Sequence, residues 1–364
     1  MNKKVDYDLN DQIIRDVTKD FVGWDENTTY EIELCQFKTS KGKDFYRLLP
    51  NNDEISDLIL KVFPIQDGSM AMTEDSDMRE LLFVNSELHN EFSKDIGLPN
   101  MSKYRTEEGF GILCMEDISE ELTKVGPPTP PTKGMVTNLI KTIGKLHAKH
   151  WQEEKVVENY PWLMDFKLWL KRGMKLLLIV IGEDEGFEWA QKILENRSDL
   201  KRAMPSFLES LSSEEKEQFI NILKSPEVIM DRLEKMPWTV SHNDLFFSNL
   251  GLKDDQLLLI DWEFVGYSPA AWDIHSAYAG IPPIGVNEED MVEIYFDQIS
   301  QATEDEKAAW LDGYKIMGAV EGLIYGLRTL VPKVYDPESD LPEKFRPMLS
   351  GEIEKIVNQI LMLD

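Results

Sequence analysis

Between residues 29 and 64, short runs rich in β-branched and aromatic residues alternate with polar turns. The runs are residues 30–37, 45–49 and 58–63, with Ser40-Lys41-Gly42-Lys43 between the first two. This alternation predicts an antiparallel meander of three strands. Residues 78–92 place Leu81, Leu82, Val84, Leu88 and Phe92 among charged positions, which predicts one helix with Glu80 in its first turns. Residues 110–115 are apolar and predict a strand ending at Glu116-Asp117. The proline-rich stretch 126–131 can continue neither helix nor sheet and marks a boundary. Beyond it, Val136, Leu139, Ile140, Ile143, Leu146 and His150 recur at helical spacing, and residues 160–235 and 288–364 also read chiefly as helices. One β-like interlude interrupts them: residues 238–241 and 257–260 flank the polar loop 242–249. The pattern predicts an α+β chain, with a small antiparallel-sheet lobe over residues 1–116 and a larger, mostly helical lobe over 117–364. Gly318, Gly322 and Gly326 fall on one helix face, and Glu321 and Arg328 nearby favour close packing of a water-facing helix over a membrane contact.

The polar loop carries the chemistry. His242-Asn243-Asp244-Leu245-Phe246-Phe247-Ser248-Asn249 has the form H-x-D-x-x-x-x-N, and Asp261 follows at the end of an apolar strand. Phosphoryl transfer from ATP needs a carboxylate to orient the attacking hydroxyl. It also needs hard oxygen ligands for Mg2+. Asp244 suits the first task, and Asn249 with Asp261 suits the second. The corresponding protein-kinase signature has arginine where this chain has Asn243 and glycine where it has Glu263.

With those residues in order, the chain resembles the aminoglycoside phosphotransferase and choline kinase superfamily, whose members share the two-lobed protein-kinase-like fold. The resemblance runs from about Tyr30 to Ala279. It implies that Lys61 grips the ATP phosphates and that Glu80 pairs with Lys61. Met115 and Glu116 would lie at the adenine hinge, and Ser40 and Gly42 would lie in a phosphate-covering turn unusually poor in glycine. It implies that Asp273 braces the catalytic loop. His242 joins Asp244 in the catalytic site, read from the motif as a ring whose hydrogen bonds hold that loop. The expected activity is an ATP- and Mg2+-dependent transfer to the hydroxyl of a small molecule, an aminoglycoside or amino-alcohol among the options. A protein kinase is disfavoured by Asn243 and by the lack of an Ala-Pro-Glu segment. A silent nucleotide-binding pseudokinase is disfavoured because lysine, both aspartates and asparagine are all present.

Composition adjusts this picture only at the edges. A formal charge of −28, from 67 acidic and 39 basic residues, repels nucleic acid and anionic membranes, and would draw in a cationic acceptor. Cys35 and Cys114 lack metal or disulfide spacing, and the start of the chain has no apolar leader, so a cytoplasmic protein is expected. His147 and His150 are read as packing histidines rather than metal ligands. Trp262, Trp272, Phe246 and Phe247 are read as core and site wall.

Overall fold

The computed structural model describes residues 9–35, 44–64, 72–75, 78–84, 86–99, 101–105, 110–122, 131–253, 256–278 and 286–363. Ser40 and Gly42 lie outside the described residues, as does the proline-rich stretch apart from Pro131. The chain forms two units. The first comprises residues 1–67, 76–123 and 248–263, and the second comprises residues 68–75, 124–247 and 264–364.

The first unit is built on a five-stranded antiparallel sheet. Its strands are β1 (Tyr30–Leu34), β2 (Asp44–Pro50), β3 (Leu58–Pro64), β4 (Met101–Arg105) and β5 (Phe110–Glu116), in spatial order β1-β2-β3-β5-β4. The register sets Lys61 opposite Phe45 on one side and Leu113 on the other. Two elements go beyond the pattern read from sequence. Strand β4 is an edge strand on which Met101 is half-buried and Lys103 exposed, while Ser102 is buried and its hydroxyl donates to the Val17 carbonyl. The other is the helix α1 (Asp11–Thr18), capped by Asn10, whose side chain accepts from the Ile13 N–H at 3.1 Å. At eight residues α1 is too short to persist alone. Ile13, Ile14 and Val17 bury against Leu48, Leu60, Val62, Ile112 and Cys114, and each such side chain contributes roughly 1.5–3 kcal/mol.

The helix expected over 78–92 is broken in two, α2 (Arg79–Phe83) and α3 (Glu87–Phe92). Val84 turns extended, and the Ser86 side chain accepts from the His89 N–H at 3.0 Å, so a serine N-cap starts a second helix where continuous apolar spacing suggested one. A two-stranded hairpin, Leu250–Lys253 with Gln256–Leu259, completes this unit. Gly97 joins it: its N–H donates to the Leu257 carbonyl at 2.8 Å and its carbonyl accepts from Leu259 at 3.1 Å.

The second unit is mainly helical. Thr132 caps the helix α4 (Lys133–Lys149), whose buried face includes the expected Val136, Leu139, Ile140, Ile143 and Leu146. Next comes α5 (Phe166–Val180), capped by Asp165. A small sheet orders Met164–Asp165, Gly266–Pro269 and Trp238–Ser241 side by side, with Gly266 in the middle strand. A Cβ at Gly266 would stand 2.6 Å from the Met164 carbonyl oxygen, so only glycine lets these strands approach. The glycine face read from sequence is a helix seam. Cβ atoms added at Gly318 and Gly326 would fall 2.6 and 2.9 Å from Gln359 and Ile356 of the helix Arg346–Leu361. Along this seam the helix widens into a π-helical turn over Gly322–Gly326 before resuming as α-helix at Leu327–Tyr335. Among the described residues, no helix is long and apolar enough to cross a membrane.

Candidate active site

In the first unit β3 delivers Lys61, α2 delivers Glu80, and the residue after Ile260 delivers Asp261. Lys61 Nζ lies 2.5 Å from Glu80 Oε2 and 2.5 Å from Asp261 Oδ1. Lys61 and Glu80 side chains are 3% and 4% exposed, whereas Asp261 keeps 31%. Burial opposes the lysine charge, but the Asp261 and Glu80 carboxylates outweigh it and raise the lysine above its ordinary value. Two carboxylates against one ammonium leave the cluster net negative on its accessible side.

Several contacts fix the loop that presents Asp261. The Trp262 N–H donates to Glu80 Oε1 at 3.2 Å, and Arg79 donates to the Glu263 carbonyl at 2.9 Å. The Trp262 ring stacks on Phe83 with centroids 4.4 Å apart and also meets Phe92 at 5.8 Å. Asp261 itself sits at φ +66°, a left-handed conformation that a non-glycine residue holds only when its surroundings enforce it. The Ile260 N–H donates to the Asn249 carbonyl at 3.1 Å, so Asn249 and Asp261 flank the same end of the hairpin.

At the end of β5, Met115 is buried opposite Ile59 and Met101, and Glu116 stands opposite Leu58. The next residue turns the chain: the Asp117 N–H donates to the Asp57 carbonyl at 3.0 Å, and its carboxylate meets Arg47 at 2.8 Å.

The second unit holds the loop from His242 to Asp244. Buried Asp273 accepts from the His242 N–H through one oxygen and from the Asn243 N–H through the other, both at 2.8 Å. Trp272 Nε1 donates to the Asn243 carbonyl at 3.1 Å, and the Asn243 amide donates to the Phe264 carbonyl at 2.9 Å. These bonds hold Asn243 at φ +65°. The Asp244 N–H donates to His242 Nδ1 at 3.2 Å, which makes Nδ1 an acceptor and places the proton of the neutral ring on Nε2. His242 therefore contacts the backbone of Asp244.

Sequence reasoning treated His147 as packing alone. Its ring is fully buried and satisfied, with Nε2 3.2 Å from Asp273 Oδ2 and Nδ1 2.7 Å from the Tyr295 hydroxyl. It thus supports the carboxylate that braces the loop. The distant Tyr295, contributed by the helix Glu288–Phe296, left no local signal for this link.

A phosphotransferase family model, described as "Phosphotransferase enzyme family", matches residues 44–310, well over half of the chain. The chain belongs to that family. This phosphotransferase has the two-lobed α+β fold expected from its sequence, with an antiparallel-sheet unit and a mostly helical one. Among solved structures it is similar to aminoglycoside phosphotransferase APH(2'')-Ib in its ADP-bound form, at 15% identity and a TM-score of 0.50, over 98% of this chain and 99% of that one. It is also similar to spectinomycin phosphotransferase APH(9)-Ia in its AMP-bound complex, at 12% identity and a TM-score of 0.51, over 97% of each chain. At such identities the likeness is one of fold. No curated protein matches the sequence.

The donor set suits Mg2+. Among the described residues no group of three or more His, Cys, Asp or Glu side chains forms a cage. Mg2+ is commonly held by one or two protein oxygens with substrate phosphates and water completing its shell. A partly exposed carboxylate and an amide at one hairpin end supply that much.

Proposed function

We propose that this phosphotransferase moves the γ-phosphoryl group of ATP to a hydroxyl of a small molecule. The observation that carries the reading is the buried Lys61, held between Glu80 and Asp261. A cation fixed beside a metal-binding carboxylate is positioned to hold the α/β-phosphates, and Glu80 keeps its Nζ in place. Asn249 and Asp261 would hold Mg2+, which offsets phosphate charge as transfer proceeds. Asp244 would orient the acceptor hydroxyl and take its proton, its backbone steadied by His242. Met115, Glu116 and the segment after them would meet adenine. The nucleotides in the similar aminoglycoside and spectinomycin phosphotransferase structures support nucleotide binding here. Because the transition state is loose, fixed position and charge supply most of the rate. The thiols of Cys35 and Cys114 form no disulfide, which suits action in a reducing cytoplasm.

ADP release should be followed with ATP and Mg2+ across amino-alcohols, sugars, hydroxy acids and antibiotics. Acceptor-dependent release that vanishes in Asp244→Ala is the expected result. Nucleotide binding with no release above background for any acceptor would replace the kinase by a nucleotide-binding pseudokinase.

A further inference from the structure

In a chain of net charge −28, arginines find carboxylates readily. Arg47 pairs with Asp117, Arg172 with Glu74, Arg197 with Asp199 and Arg202 with Asp336. Arg328 is different. Its Nε is sealed from solvent and meets no acceptor, and among the described residues no carboxylate pairs with it. The ionisable groups close enough to act on it are Tyr325 and Arg197, and Arg197 is already bonded to Asp199 while donating to the Arg328 carbonyl. Burial, with the Arg197 charge adding to it, presses Arg328 down to about 10, so it stays protonated at neutral pH. A half-buried guanidinium without a counterion is costly unless something else supplies the negative charge.

Its place in the second unit indicates what that is. Arg328 lies two residues past the π-helical turn Gly322–Gly326, and such turns recur at functional positions. Tyr325, on that turn, meets the Trp169 ring at 5.1 Å and the Phe246 ring at 6.3 Å. Phe246 is two residues beyond Asp244 and remains 37% exposed. Phe246, whose N–H donates to the Asp244 carbonyl at 2.9 Å, therefore meets the ring of Tyr325, three residues before the cation that lacks a carboxylate among the described residues.

We infer that Arg328 recognises the acceptor, and that the acceptor alcohol carries a carboxylate or phosphate group held by its guanidinium fork. Five fixed N–H donors in a plane match two anionic oxygens, a geometry lysine lacks. The inference rests on the proposed function for the hydroxyl it places, and it reverses the expectation of a cationic acceptor drawn from net charge.

Thermal shifts of the full chain should be measured with glycerate against glycerol, gluconate against glucose, glycerol 3-phosphate, and choline as the cationic control. At least one anionic member should raise the midpoint by about 2 °C or more at saturation, while its neutral partner and choline do not. The shift should disappear in Arg328→Gln and persist in part in Arg328→Lys, with ADP binding unchanged in both. With ATP and Mg2+ the same anionic member should be phosphorylated, at a KM raised about tenfold to a hundredfold in Arg328→Gln. The carboxylate and phosphate arms separate the two sources of the anion. Should Arg328→Gln fail to fold, the wild-type panel and Arg328→Lys decide the matter. No response to any anionic member, or an anion preference unchanged in both variants, overturns the inference. Transfer confined to neutral or cationic members overturns it and leaves the kinase standing. Anion binding lost in Arg328→Gln without ATP-dependent transfer keeps the site and removes the kinase.

Discussion

Lys61 Nζ and Asp261 Oδ1 meet at 2.5 Å although 200 residues of sequence separate them. The pair joins a strand of the sheet to the hairpin loop within one unit, and Glu80 closes it from the other side.

Replacing Lys61 by Met leaves two carboxylates facing each other, one of them buried. Breaking a buried pair from one side costs roughly 3 kcal/mol or more, to be read as a lower urea midpoint. Its stabilising effect has a defined pH window. Because the folded lysine is raised, its contribution is complete below the unfolded value of about 10.4 and is lost only as pH climbs through the higher folded value. The lysine charge should therefore hold from about pH 6 to 9, while the facing carboxylates left in Lys61→Met take up a proton as pH falls, so the stability difference should be largest near pH 9 and shrink toward pH 6. A difference that grows as pH falls would contradict the arrangement.

Asp244→Ala should lower turnover by roughly 10²- to 10⁴-fold, the usual scale for a general base, with nucleotide affinity and melting temperature nearly unchanged. Asp261→Asn should instead weaken Mg2+-dependent nucleotide binding, measured by calorimetry at graded Mg2+. Unaltered titrations would take Asp261 out of the metal site.

Asp273→Ala removes both acceptors of the His242 and Asn243 N–H groups and the partner of His147. Orphaned buried donors cost about 1–3 kcal/mol each, so the melting temperature should fall and turnover should fall with it. Asp273→Asn returns only one acceptor and should rescue stability in part. Full turnover in Asp273→Ala would show that the loop holds its shape without the brace.

Gly266→Ala pushes a methyl group against the Met164 carbonyl, where neither backbone can retreat without parting the small sheet. A loss of about 1–3 kcal/mol is expected in chemical unfolding. An unchanged midpoint would mean that the strands separate without penalty.

Family and fold class were legible in the sequence: His242, Asp244, Asn249 and Asp261 carry a spacing that few other functions require, and the family it pointed to is the one whose model matches. Apolar runs located the strand of Lys61 and the helix α4. Elements whose stability comes from distant partners left weaker traces. Helix α1 and the edge strand β4 are short and partly polar; α1 holds because the sheet buries its apolar face, and β4 because β5 pairs with its backbone. The break between α2 and α3 follows from one serine cap within an otherwise continuous apolar period. The link from His147 through Asp273 to the 242–244 loop, and the lack of a carboxylate for Arg328 among the described residues, depend on side chains far apart in sequence. No local pattern encodes either. The glycines at 318, 322 and 326 announced close packing but not the π-helical turn beside them.

The first unit takes residues 248–263 from late in the chain, and these include both the partner of Lys61 and the strand that pairs with Gly97. During synthesis its sheet can form early, but Lys61 and Glu80 must wait without Asp261 until that hairpin emerges. Completion of the Lys61–Asp261 pair is thus a late step of biosynthesis, and the sheet must stay folded or protected while most of the helical unit is being made.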